Sequence, residues 1–516
     1  MTLAELLRAL PPDLGASADA LRVGGTAGNV PVKAIAYDSR KVAAGSLFVA
    51  LRGQRFDGAA FAAQAIARGA AAIVSESAPP PDVSVLWVAV KDARLALALL
   101  ADAFYRHPSG DMQVVGITGT NGKTTTSYLL SAVFEAAGLR CGLLGTVVYR
   151  TGEQEVDATR TTPEPPDVQQ LLREMADTGC RACVMEVSSH ALALRRVDGT
   201  RFAAGVFTNL TRDHLDFHGD MESYFLAKRR LFEMLPPGAP AVINVDDPRG
   251  QALLEAVSRP ITYALDRAAD VRPGPLSFSL DGLAFRIETP GGPLGVRSRL
   301  LGRPSVYNIL AAAATAVVLD LPTEAIERGL AGVQGVPGRF QVVSDPADAV
   351  TVVVDYAHTD DALRNLLETA RPLAPQRLIT VFGCGGDRDR TKRPLMGAVA
   401  ARLSDLIVIT SDNPRSENPA GIIEEIKRGI VPPPDRPRGA EREGRTLPRT
   451  PAYLAIVDRR AAINRAIELA RAGDLVLIAG KGHEKYQVIG ERVLPFDDAA
   501  VARDALARRR AGPGRA

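Results

Sequence analysis

The sequence predicts an α/β protein of three domains whose parallel sheets are covered by helices. The chain has 516 residues, and a domain usually holds ~100–200 residues, so two to four domains are expected. Short apolar runs alternate with helical stretches, which is typical of strands and helices that alternate in parallel sheets. The composition, 46% hydrophobic and 23% charged, argues against a collagen-like, coiled-coil or wholly disordered chain.

A smaller N-terminal α/β domain is predicted at residues 1–108. Its candidate strands are short apolar runs separated by alanine-rich helical stretches. These runs are Leu47–Leu51, Ala71–Val74 and Val83–Val90.

A central domain with a parallel sheet and helices on both faces is predicted at residues 109–341. It opens with the β-rich run Met112–Thr118, and apolar side chains then recur at helical spacing over Thr124–Ala137. Gly138 supplies the expected helix end. The later candidate strands are almost continuously apolar, which suits a sheet buried on both faces. They are Ala182–Val187, Ala204–Thr208 and Ala241–Val245.

A C-terminal, Rossmann-like α/β domain is predicted at residues 342–516. Helical stretches separate its candidate strands, as expected for a doubly wound sheet. These strands are Val350–Val354, Leu378–Phe382, Leu406–Thr410 and Leu475–Ala479. The stretch Val431–Pro451 is rich in proline and charge, so we interpret it as a surface insertion.

The charge balance gives no reason to expect a nucleic-acid partner. The chain has 62 basic and 59 acidic residues and a net charge of +3. A protein that coats nucleic acid usually carries a strongly basic surface. We interpret the basic run Arg508–Arg510 as a solvated, frayed end.

The absence of targeting signals favours a cytoplasmic protein, and we expect it to be a monomer. No apolar run reaches the ~18 residues of a membrane helix, and the N-terminus has no basic region followed by an apolar block. We therefore expect no membrane insertion.

The four cysteines are too few for a disulfide scaffold. Cys180 and Cys183 have CxxC spacing but no second pair, so we interpret them as a helix end leading into a buried strand.

A glycine-rich loop between a predicted strand and a predicted helix favours nucleotide binding. The loop reads TGTNGKT over 118–124. Its glycines let backbone N–H groups approach phosphate oxygens, its lysine supplies a charge, and the hydroxyl of Thr124 can bind Mg²⁺. The strict G-x-x-x-x-G-K-[ST] pattern needs glycine at the position of Ile117, so a chance glycine-rich turn is the alternative reading of the loop alone.

Histidines cluster with acidic and polar residues at the ends of predicted strands. Ligands of open α/β sheets bind at the carboxyl ends of the strands, so these histidines are candidate site residues. They are His190, His214, His218, His358 and His483. We assign no role to His107.

Six further motifs in order along the chain, with the loop, resemble the Mur ligases. They are Asp38-Ser39-Arg40, TNLTRDHLDFHGDMESYFLAKRRLF (208–232), DYAHTDDAL (355–363), FGCGGDRDRTKRP (382–394), SDNPRSENP (411–419) and GKGHE (480–484). The family's phosphate loop is built around GTNGKT, so Ile117 is no objection to the resemblance.

The resemblance implies an ATP-dependent, amide-forming ligase of cytoplasmic peptidoglycan precursor synthesis, and so of cell-wall biogenesis, cell shape and cell division. The closest resemblance is to members that join meso-2,6-diaminopimelate to the γ-carboxyl of D-glutamate in UDP-N-acetylmuramoyl-L-Ala-D-Glu. The implied route transfers the γ-phosphoryl group of ATP to the carboxylate, and the amine then attacks the acyl phosphate. Because anions meet in the first step, cation positioning should dominate catalysis.

The resemblance also implies an ATP site with Mg²⁺. The implied ATP-binding residues are Gly119, Thr120, Asn121, Gly122, Lys123, Thr124, Thr125, Asn308, Arg339 and His358. Thr124 and Glu186 resemble ligands of one Mg²⁺, and His214 with a carbamylated Lys228 resemble ligands of a second. Lys123, His214 and Lys228 are the implied catalytic residues. From the sequence alone, Lys228 beside Arg229 looks like an exposed helix lysine.

The resemblance places the nucleotide-linked peptide on the first two domains. Ser39, Gln54, Arg55 and Phe56 match the family's uridine-diphosphate site, and Thr161, Thr162, Ser188 and Arg196 match its muramoyl-dipeptide site. Arg160 and Leu194 stand where some members have polar residues, so neither is carried over as a family contact. Gly-Arg-Phe-Gln stands at 338–341 in place of the more usual Gly-Arg-Met-Glu, and Arg339 keeps its implied role.

The amino-acid site is implied by the Asp-Asn-Pro-Arg motif. The planar fork of an arginine matches a carboxylate, and diaminopimelate differs from lysine by one carboxylate. The implied diaminopimelate-binding residues are Arg388, Asp412, Asn413, Pro414, Arg415, Gly480 and Glu484. The alternatives are a lysine-adding ligase, a folylpolyglutamate synthase, and a phosphate-loop switch or non-catalytic binding module.

Overall fold

The computed structural model describes residues 1–15, 30–53, 57–80, 83, 85–279, 282–345, 347–430, 441–442, 445–446 and 451–511. Within these residues the chain forms three α/β domains, as predicted. None of the described helices combines the length and the apolar character that crossing a bilayer requires.

The N-terminal domain is built on a parallel sheet in the strand order β1-β2-β3-β4. Its strands are β1 (Ala34–Ala36), β2 (Ser46–Ala50), β3 (Ala70–Ser75) and β4 (Leu86–Ala89), and its helices are α1 (Leu3–Leu7), α2 (Ala62–Ala67) and α3 (Ala93–Phe104). The three predicted strands of this domain are confirmed.

The central domain contains a sheet in the order β12-β11-β10-β5-β9-β6-β7-β8. These strands are β5 (Gln113–Thr118), β6 (Cys141–Leu144), β7 (Val148–Thr151), β8 (Gln154–Asp157), β9 (Ala182–Glu186), β10 (Phe202–Phe207), β11 (Ala241–Asn244) and β12 (Pro260–Tyr263). The helices are α4 (Lys123–Ala136), α5 (Pro165–Asp177), α6 (Ser189–Ala193), α7 (Leu215–His218), α8 (Met221–Glu233) and α9 (Pro248–Leu253).

Alternation along the central strands buries both faces of this sheet. Val115 and Ile117 of β5 pack in one core with α4, whereas Val114 packs in a second core on the other face with α5 and α8. Successive side chains of a strand point to opposite faces, so an almost continuously apolar strand requires helices on both sides. The predicted layering is therefore confirmed.

An antiparallel sheet in the central domain was not predicted from the sequence. It consists of β13 (Arg272–Pro273), β14 (Ser277–Ser279), β15 (Gly282–Glu288) and β16 (Leu294–Ser298), and it is followed by α10 (Arg303–Val318) and α11 (Thr323–Gly332). The edge strands β7 and β8 also pair antiparallel, so the main sheet is mixed rather than wholly parallel. The alternating burial of β15 follows from one solvent-facing side, a weaker signal than a continuous apolar run.

The C-terminal domain has a sheet in the order β17-β18-β24-β19-β20-β23, with helices on both faces. Its strands are β17 (Gln341–Val342), β18 (Thr351–Asp355), β19 (Leu378–Phe382), β20 (Leu406–Ile409), β21 (Glu441–Arg442), β22 (Arg445–Thr446), β23 (Ala452–Ala455), β24 (Leu475–Ala479), β25 (Tyr486–Ile489) and β26 (Arg492–Pro495). The helices are α12 (Asp360–Ala370), α13 (Lys392–Leu403), α14 (Pro419–Lys427), α15 (Arg459–Leu469) and α16 (Asp498–Ala511).

Three smaller predictions have different outcomes. The basic run Arg508–Arg510 was predicted to be a frayed end, and this prediction is wrong: it lies in α16, where Nη1 of Arg509 donates 2.7 Å hydrogen bonds to the carbonyls of Ile467 and Ala470 at the end of α15. Most of the predicted insertion Val431–Pro451 lies outside the described residues. The four cysteines are buried and free, and Cys180 and Cys183 connect α5 to β9 as predicted.

Candidate active site

The glycine-rich loop joins β5 to α4 and wraps the first turn of the helix. Gly119 and Gly122 have φ values of 147° and 89°, which side chains with a Cβ adopt at a cost. A Cβ at Gly122 would lie 2.4 Å from Oδ1 of Asn308, so the loop also has no room for one. The loop therefore presents backbone amides at the N-terminus of α4, an arrangement suited to phosphate.

Two lysine amines meet at the carbonyl of Gly119. Nζ of Lys123 donates to it at 2.9 Å and Nζ of Lys228, from α8, donates to it at 2.8 Å. Lys228 is only 1% exposed, so its appearance in the sequence as an exposed helix lysine was misleading. Burial, reinforced by the nearby charge of Lys123, holds the pKa of Lys228 well below its ordinary value.

A carboxylate next to the loop is held by three donors. Oε2 of Glu186, at the end of β9, accepts from the hydroxyls of Thr124 at 3.1 Å and Thr146 at 2.9 Å. Its Oε1 accepts from the backbone N–H of Thr146 at 2.9 Å. The structure thus brings together the two residues that the sequence suggested for Mg²⁺, with Thr146 as a neighbour that sequence reasoning missed.

A second polar cluster follows β10 and faces the C-terminal domain. Oδ2 of Asp213, whose side chain is 13% exposed, lies 3.4 Å from Nε2 of His214 and 3.6 Å from Nε2 of His358. Burial alone would raise the pKa of Asp213, but hydrogen bonding and charge from His358 lower it below its ordinary value. Burial lowers the pKa of His214 to about 3. The adjacent imidazole of His190 lies 4.8 Å from that of His214 between ring centroids.

A metal ion at these groups needs ligands in addition to the protein side chains. Among the described residues, no three histidines, cysteines or acidic residues converge to hold an ion. Thr124 and Glu186 supply oxygen donors, and Mg²⁺ is often bound by one or two protein groups together with substrate phosphates. This pair therefore fits Mg²⁺ bound with a nucleotide, whereas Lys228 fits a metal site only if its amine is converted to an anionic group.

Asn308 and Arg339 come from distant parts of the chain to the same loop. Oδ1 of Asn308, on α10, accepts from the hydroxyl of Thr126 at 3.4 Å. Nη2 of Arg339 donates to the hydroxyl of Thr124 at 3.0 Å, and its guanidinium lies 4.6 Å from the centroid of the Tyr356 ring. The ATP-site residues suggested by the sequence are thus grouped around one loop.

The residues suggested for the nucleotide-linked peptide fall into two groups. The hydroxyl of Ser39 is buried and donates to Oε1 of Gln64 at 2.6 Å in the N-terminal domain. In the central domain, Thr161, Thr162, Ser188 and Arg196 lie beside the Glu186 strand. Among them, Nη1 of Arg196 donates to the carbonyl of Thr162 at 3.1 Å, and the hydroxyl of Thr162 donates to Ser188 at 3.3 Å. Gln54, Arg55 and Phe56 lie outside the described residues.

Arg415 and Arg388 converge on a glycine loop after β19. Nη1 of Arg415 donates to the carbonyl of Gly386 at 2.7 Å. A Cβ on Gly385 would lie 3.0 Å from Nη1 of Arg415 and 3.8 Å from Cγ of Arg388. Burial, with the nearby Arg388 charge, lowers the pKa of Arg415, and its backbone has a φ of 51°. The Arg415 guanidinium and the Arg388 side chain thus lie beside the same glycine, and guanidinium groups suit an anionic ligand.

Carboxylates and amides flank this arginine pair. Asp412, Asn413 and Pro414 follow β20, and Gly480 and Glu484 follow β24. Nδ2 of Asn413 donates to Oε2 of Glu484 at 2.9 Å. At Gly480, where φ is 118°, a Cβ would lie 2.8 Å from Oδ2 of Asp412, so the two strand ends pack closely. Sequence reasoning missed Lys481, although it stands inside the quoted GKGHE motif.

The fold and the site define a class of protein, a three-domain α/β protein with a glycine-rich loop between a strand and a helix in its central domain and a cluster of arginines and carboxylates in its C-terminal domain. Matches to three domain models of one known family identify the class more closely. Residues 31–105 match the Mur ligase family catalytic domain, residues 117–316 the Mur ligase middle domain, and residues 338–482 the Mur ligase glutamate ligase domain. The chain belongs to the Mur ligase family.

Relatives within the family match this chain over almost its whole length. It is 48% identical over 505 residues to the UDP-N-acetylmuramoyl-L-alanyl-D-glutamate–2,6-diaminopimelate ligase of Geobacter metallireducens, covering 96% of this chain and 97% of the relative. It is 49% identical to the protein of the same name from Solibacter usitatus, covering 92% and 93% of the two chains.

Solved structures share the fold. A structure of UDP-N-acetylmuramoyl-L-alanyl-D-glutamate–2,6-diaminopimelate ligase is 33% identical, with a TM-score of 0.65 and coverage of 99% of this chain and 100% of the other. The MurF ligase of Thermotoga maritima, solved in complex with ADP, is 19% identical with a TM-score of 0.62, covers 93% of this chain and 99% of its own, and supports the fold alone.

Proposed function

We propose that this chain is an ATP-dependent ligase that joins meso-2,6-diaminopimelate to the D-glutamate γ-carboxyl of UDP-N-acetylmuramoyl-L-Ala-D-Glu. The observation that carries the proposal is the Arg415 site in a chain that also has a phosphate loop. Arg415 and Arg388 suit the distal carboxylate of diaminopimelate, and Glu484 suits its distal ammonium. Near-full-length similarity to ligases named for this reaction supports the same acceptor.

The proposed reaction has two steps. A γ-carboxylate oxygen attacks the γ-phosphorus of ATP, and the P–O bond to ADP breaks. The amine of diaminopimelate then attacks the acyl carbon, loses a proton, and expels phosphate as the amide forms. The first step brings two anions together, and the second develops negative charge on the acyl oxygen, so the positive groups around the loop lower both barriers.

The roles of the ATP-site residues follow from their positions. The amides of Gly119 to Thr125 and the amine of Lys123 receive the phosphates, and Asn308, Arg339 and His358 bind the rest of the nucleotide. Mg²⁺ bound by Thr124 and Glu186 supplies charge neutralisation for the transferred phosphoryl group. Thr124 fits this role because its hydroxyl already lies 3.1 Å from Oε2 of Glu186.

Lys228 is proposed to carry a carbamate formed with CO₂. A neutral amine is the form that attacks CO₂, and burial lowers the pKa of Lys228, which favours that form. The carbamate is an anionic oxygen donor that, with His214, suits a second Mg²⁺. It also replaces one of two cations that meet at the carbonyl of Gly119.

The proposed substrate path runs over all three domains. Ser39, with Gln54, Arg55 and Phe56, binds the uridine diphosphate, and Thr161, Thr162, Ser188 and Arg196 bind the muramoyl-dipeptide. Asp412, Asn413 and Pro414 with Gly480 complete the diaminopimelate site. We propose domains at 1–108, 109–340 and 341–516. The last boundary lies one residue before the predicted one, because β17 begins at Gln341 and pairs with β18 of the C-terminal sheet. The enzyme is proposed to act as a monomer in the cytoplasm, in cell-wall biogenesis and hence cell shape and division.

The test is product formation by the purified chain with ATP, Mg²⁺, the nucleotide-linked dipeptide and meso-diaminopimelate. We expect a product heavier than the dipeptide by one diaminopimelate less one water, with ADP and phosphate formed in equal amount. Lys123→Met should abolish it, and Lys427→Met, on the surface of α14, should not. Phosphate release that does not depend on the dipeptide would contradict the proposal.

A further inference from the structure

Lys481 is a buried cation in the C-terminal domain to which the proposed function gives no role. It follows β24 directly, between Gly480 and Gly482, and its side chain has no solvent exposure. A lysine is rarely buried unless its charge is paired. The groups that pair with it therefore indicate what it does.

In the described part of the chain, the hydrogen-bond and ion-pair partners of the Lys481 amine belong to the proposed diaminopimelate site, and the centroid of the Tyr486 ring lies 5.5 Å from the amine. Nζ donates to Oε2 of Glu484 at 2.8 Å and to Oδ1 of Asn413 at 3.0 Å, and it lies 3.7 Å from Oδ1 of Asp412. Nδ2 of Asn413 donates to the same Glu484 oxygen at 2.9 Å. One oxygen of Glu484 is thus held from inside the protein by two donors.

The other oxygen of Glu484 is left for a ligand. Within the described part of the chain, the protein hydrogen bonds to this carboxylate go to Oε2. The Glu484 side chain is 17% exposed, so Oε1 can be reached from outside. A carboxylate fixed through one oxygen presents the other in a single direction, which suits an ammonium group of a ligand.

Asn413 does not depend on Lys481 for its position. Its Oδ1 also accepts from the backbone N–H of Val488 in the β25–β26 hairpin at 3.0 Å. Nε2 of Gln487, from the same hairpin, donates to the carbonyl of Asp412 at 2.6 Å. Loss of the Lys481 amine would therefore act mainly on Glu484, which would keep a neutral donor but lose its charged partner and face the carboxylate of Asp412.

We propose that Lys481 is a positioning residue that fixes Glu484 to receive the distal ammonium of diaminopimelate. The inference rests on the proposed function and adds a residue that acts without contacting the substrate. The distal site then binds both charged groups at the distal end of diaminopimelate. Arg415 binds the carboxylate, and Glu484, held in place by Lys481, binds the ammonium.

The first test compares Lys481→Met with Lys427→Met, which makes the same change at an exposed lysine of α14 that pairs with Glu424. Loss of a charged hydrogen-bond partner should raise the KM for diaminopimelate at least about tenfold in Lys481→Met. The KM values for ATP and for the nucleotide-linked dipeptide should stay within about twofold, because both bind elsewhere. An unchanged KM for diaminopimelate, or a parallel rise in all three, would overturn the inference.

A substrate analogue separates positioning from a general loss of structure. 2-Aminopimelate keeps the distal carboxylate of diaminopimelate but lacks the distal amine. The wild-type protein should discriminate strongly between the two in kcat/KM, and Lys481→Met should lose most of that discrimination. Discrimination that is equal in the two proteins would contradict a role through Glu484.

A double variant keeps the inference testable if Lys481→Met is too unstable to assay. Lys481→Met/Glu484→Gln removes both charges and is compared with Glu484→Gln alone. If Lys481 acts through Glu484, the two should have KM values for diaminopimelate within about twofold of each other. A tenfold higher KM in the double variant would overturn the inference. In every experiment the wild-type protein runs beside the variants, so an inactive wild type identifies failure of the proposed function instead.

Discussion

Lys123 and Lys228 come from different helices and donate to the same carbonyl oxygen, that of Gly119. Two ammonium groups in a buried site repel each other, and burial lowers the pKa of both lysines. Lys123 can regain a counter-charge from a bound phosphate. Lys228 needs another way to lose its charge, and the proposed reaction with CO₂ would supply one. The geometry thus gives a physical reason for a carbamate at this lysine.

Lys228→Met should lower kcat by about 10²–10³-fold, because it removes a charged group at the site of phosphoryl transfer. Arg229→Met is the matched control, since Arg229 lies on the same helix in a surface pair with Glu233. Carbon-13 NMR with labelled bicarbonate should show a carbamate signal in the wild type and in Arg229→Met. Such a signal persisting in Lys228→Met would rule out this lysine as the carrier.

Arg415→Ala should cost on the order of 2–4 kcal/mol in kcat/KM for diaminopimelate, because a carboxylate loses its charged partner. Arg428→Ala, at an exposed arginine just beyond α14, is the control and should remain within about twofold of wild type. Steady-state rates at varied diaminopimelate measure both. A wild-type kcat/KM in Arg415→Ala would show that this guanidinium does not bind the distal carboxylate.

At the scale of elements, the phosphate loop requires backbone conformations that favour glycine, in addition to side-chain contacts such as the hydrogen bond from the hydroxyl of Thr208 to the carbonyl of Asn121. Gly122 begins α4 with a φ of 89°, and its missing Cβ leaves room for Asn308. Gly179, between α5 and β9, has a similar φ of 84°, but no heavy atom lies within 4 Å of a Cβ placed there. Substitutions at the two glycines therefore share the backbone strain, and only the substitution at Gly122 also disturbs the geometry of the nucleotide site.

Gly122→Ala and Gly179→Ala should each cost about 1–2 kcal/mol of stability through the left-handed backbone. Only Gly122→Ala should weaken ATP binding, by about 10–100-fold, since a displaced Asn308 and loop misplace the phosphates. Thermal unfolding and nucleotide titration measure the two effects. Equal ATP affinities in the two variants would contradict the claim that ATP binding requires a residue without a Cβ at position 122.

The elements that could be predicted were those with a strong local signal. Buried strands such as β5, β19 and β24 are continuous apolar runs, and α4 has helical periodicity after a glycine loop. The short antiparallel strands β13–β16 carry weak alternation and were missed. The burial of Lys228 and Lys481 could not be seen locally, because it depends on strands and helices that are distant in sequence. The resemblance to the family, not spacing, indicated the role of Lys228.

At the scale of the whole molecule, the phosphate loop and the Arg415 site lie on different domains, so catalysis depends on how the domains are held. Arg212, which follows β10, links the central domain to two helix starts of the C-terminal domain. Its Nη1 donates to the hydroxyl of Thr391 at 2.6 Å, and its Nη2 donates to Asp360 at 3.3 Å. These contacts fix the two sites relative to each other.

Arg212→Ala should lower kcat/KM for diaminopimelate by about 1–2 kcal/mol, because hydrogen bonds from a charged group between the domains are lost. Nucleotide affinity should change less, since the phosphate loop lies wholly in the central domain and His358 is the one proposed nucleotide-binding residue of the C-terminal domain. Arg173→Ala, which removes ion pairs with Asp111 and Asp177 in the central domain, is the matched control. Equal kcat/KM values in the two variants would show that the Arg212 contacts do not couple the sites.

The most direct test of the account is the choice of amino acid by the wild-type protein. Phosphate release from ATP is measured with UDP-N-acetylmuramoyl-L-Ala-D-Glu and either meso-diaminopimelate or L-lysine as the acceptor. We predict a kcat/KM at least about 100-fold higher for diaminopimelate, because L-lysine leaves Arg415 without a carboxylate. Equal turnover, or turnover that favours L-lysine, would contradict the assignment of the Arg415 site, and no turnover with either would contradict the ligase itself.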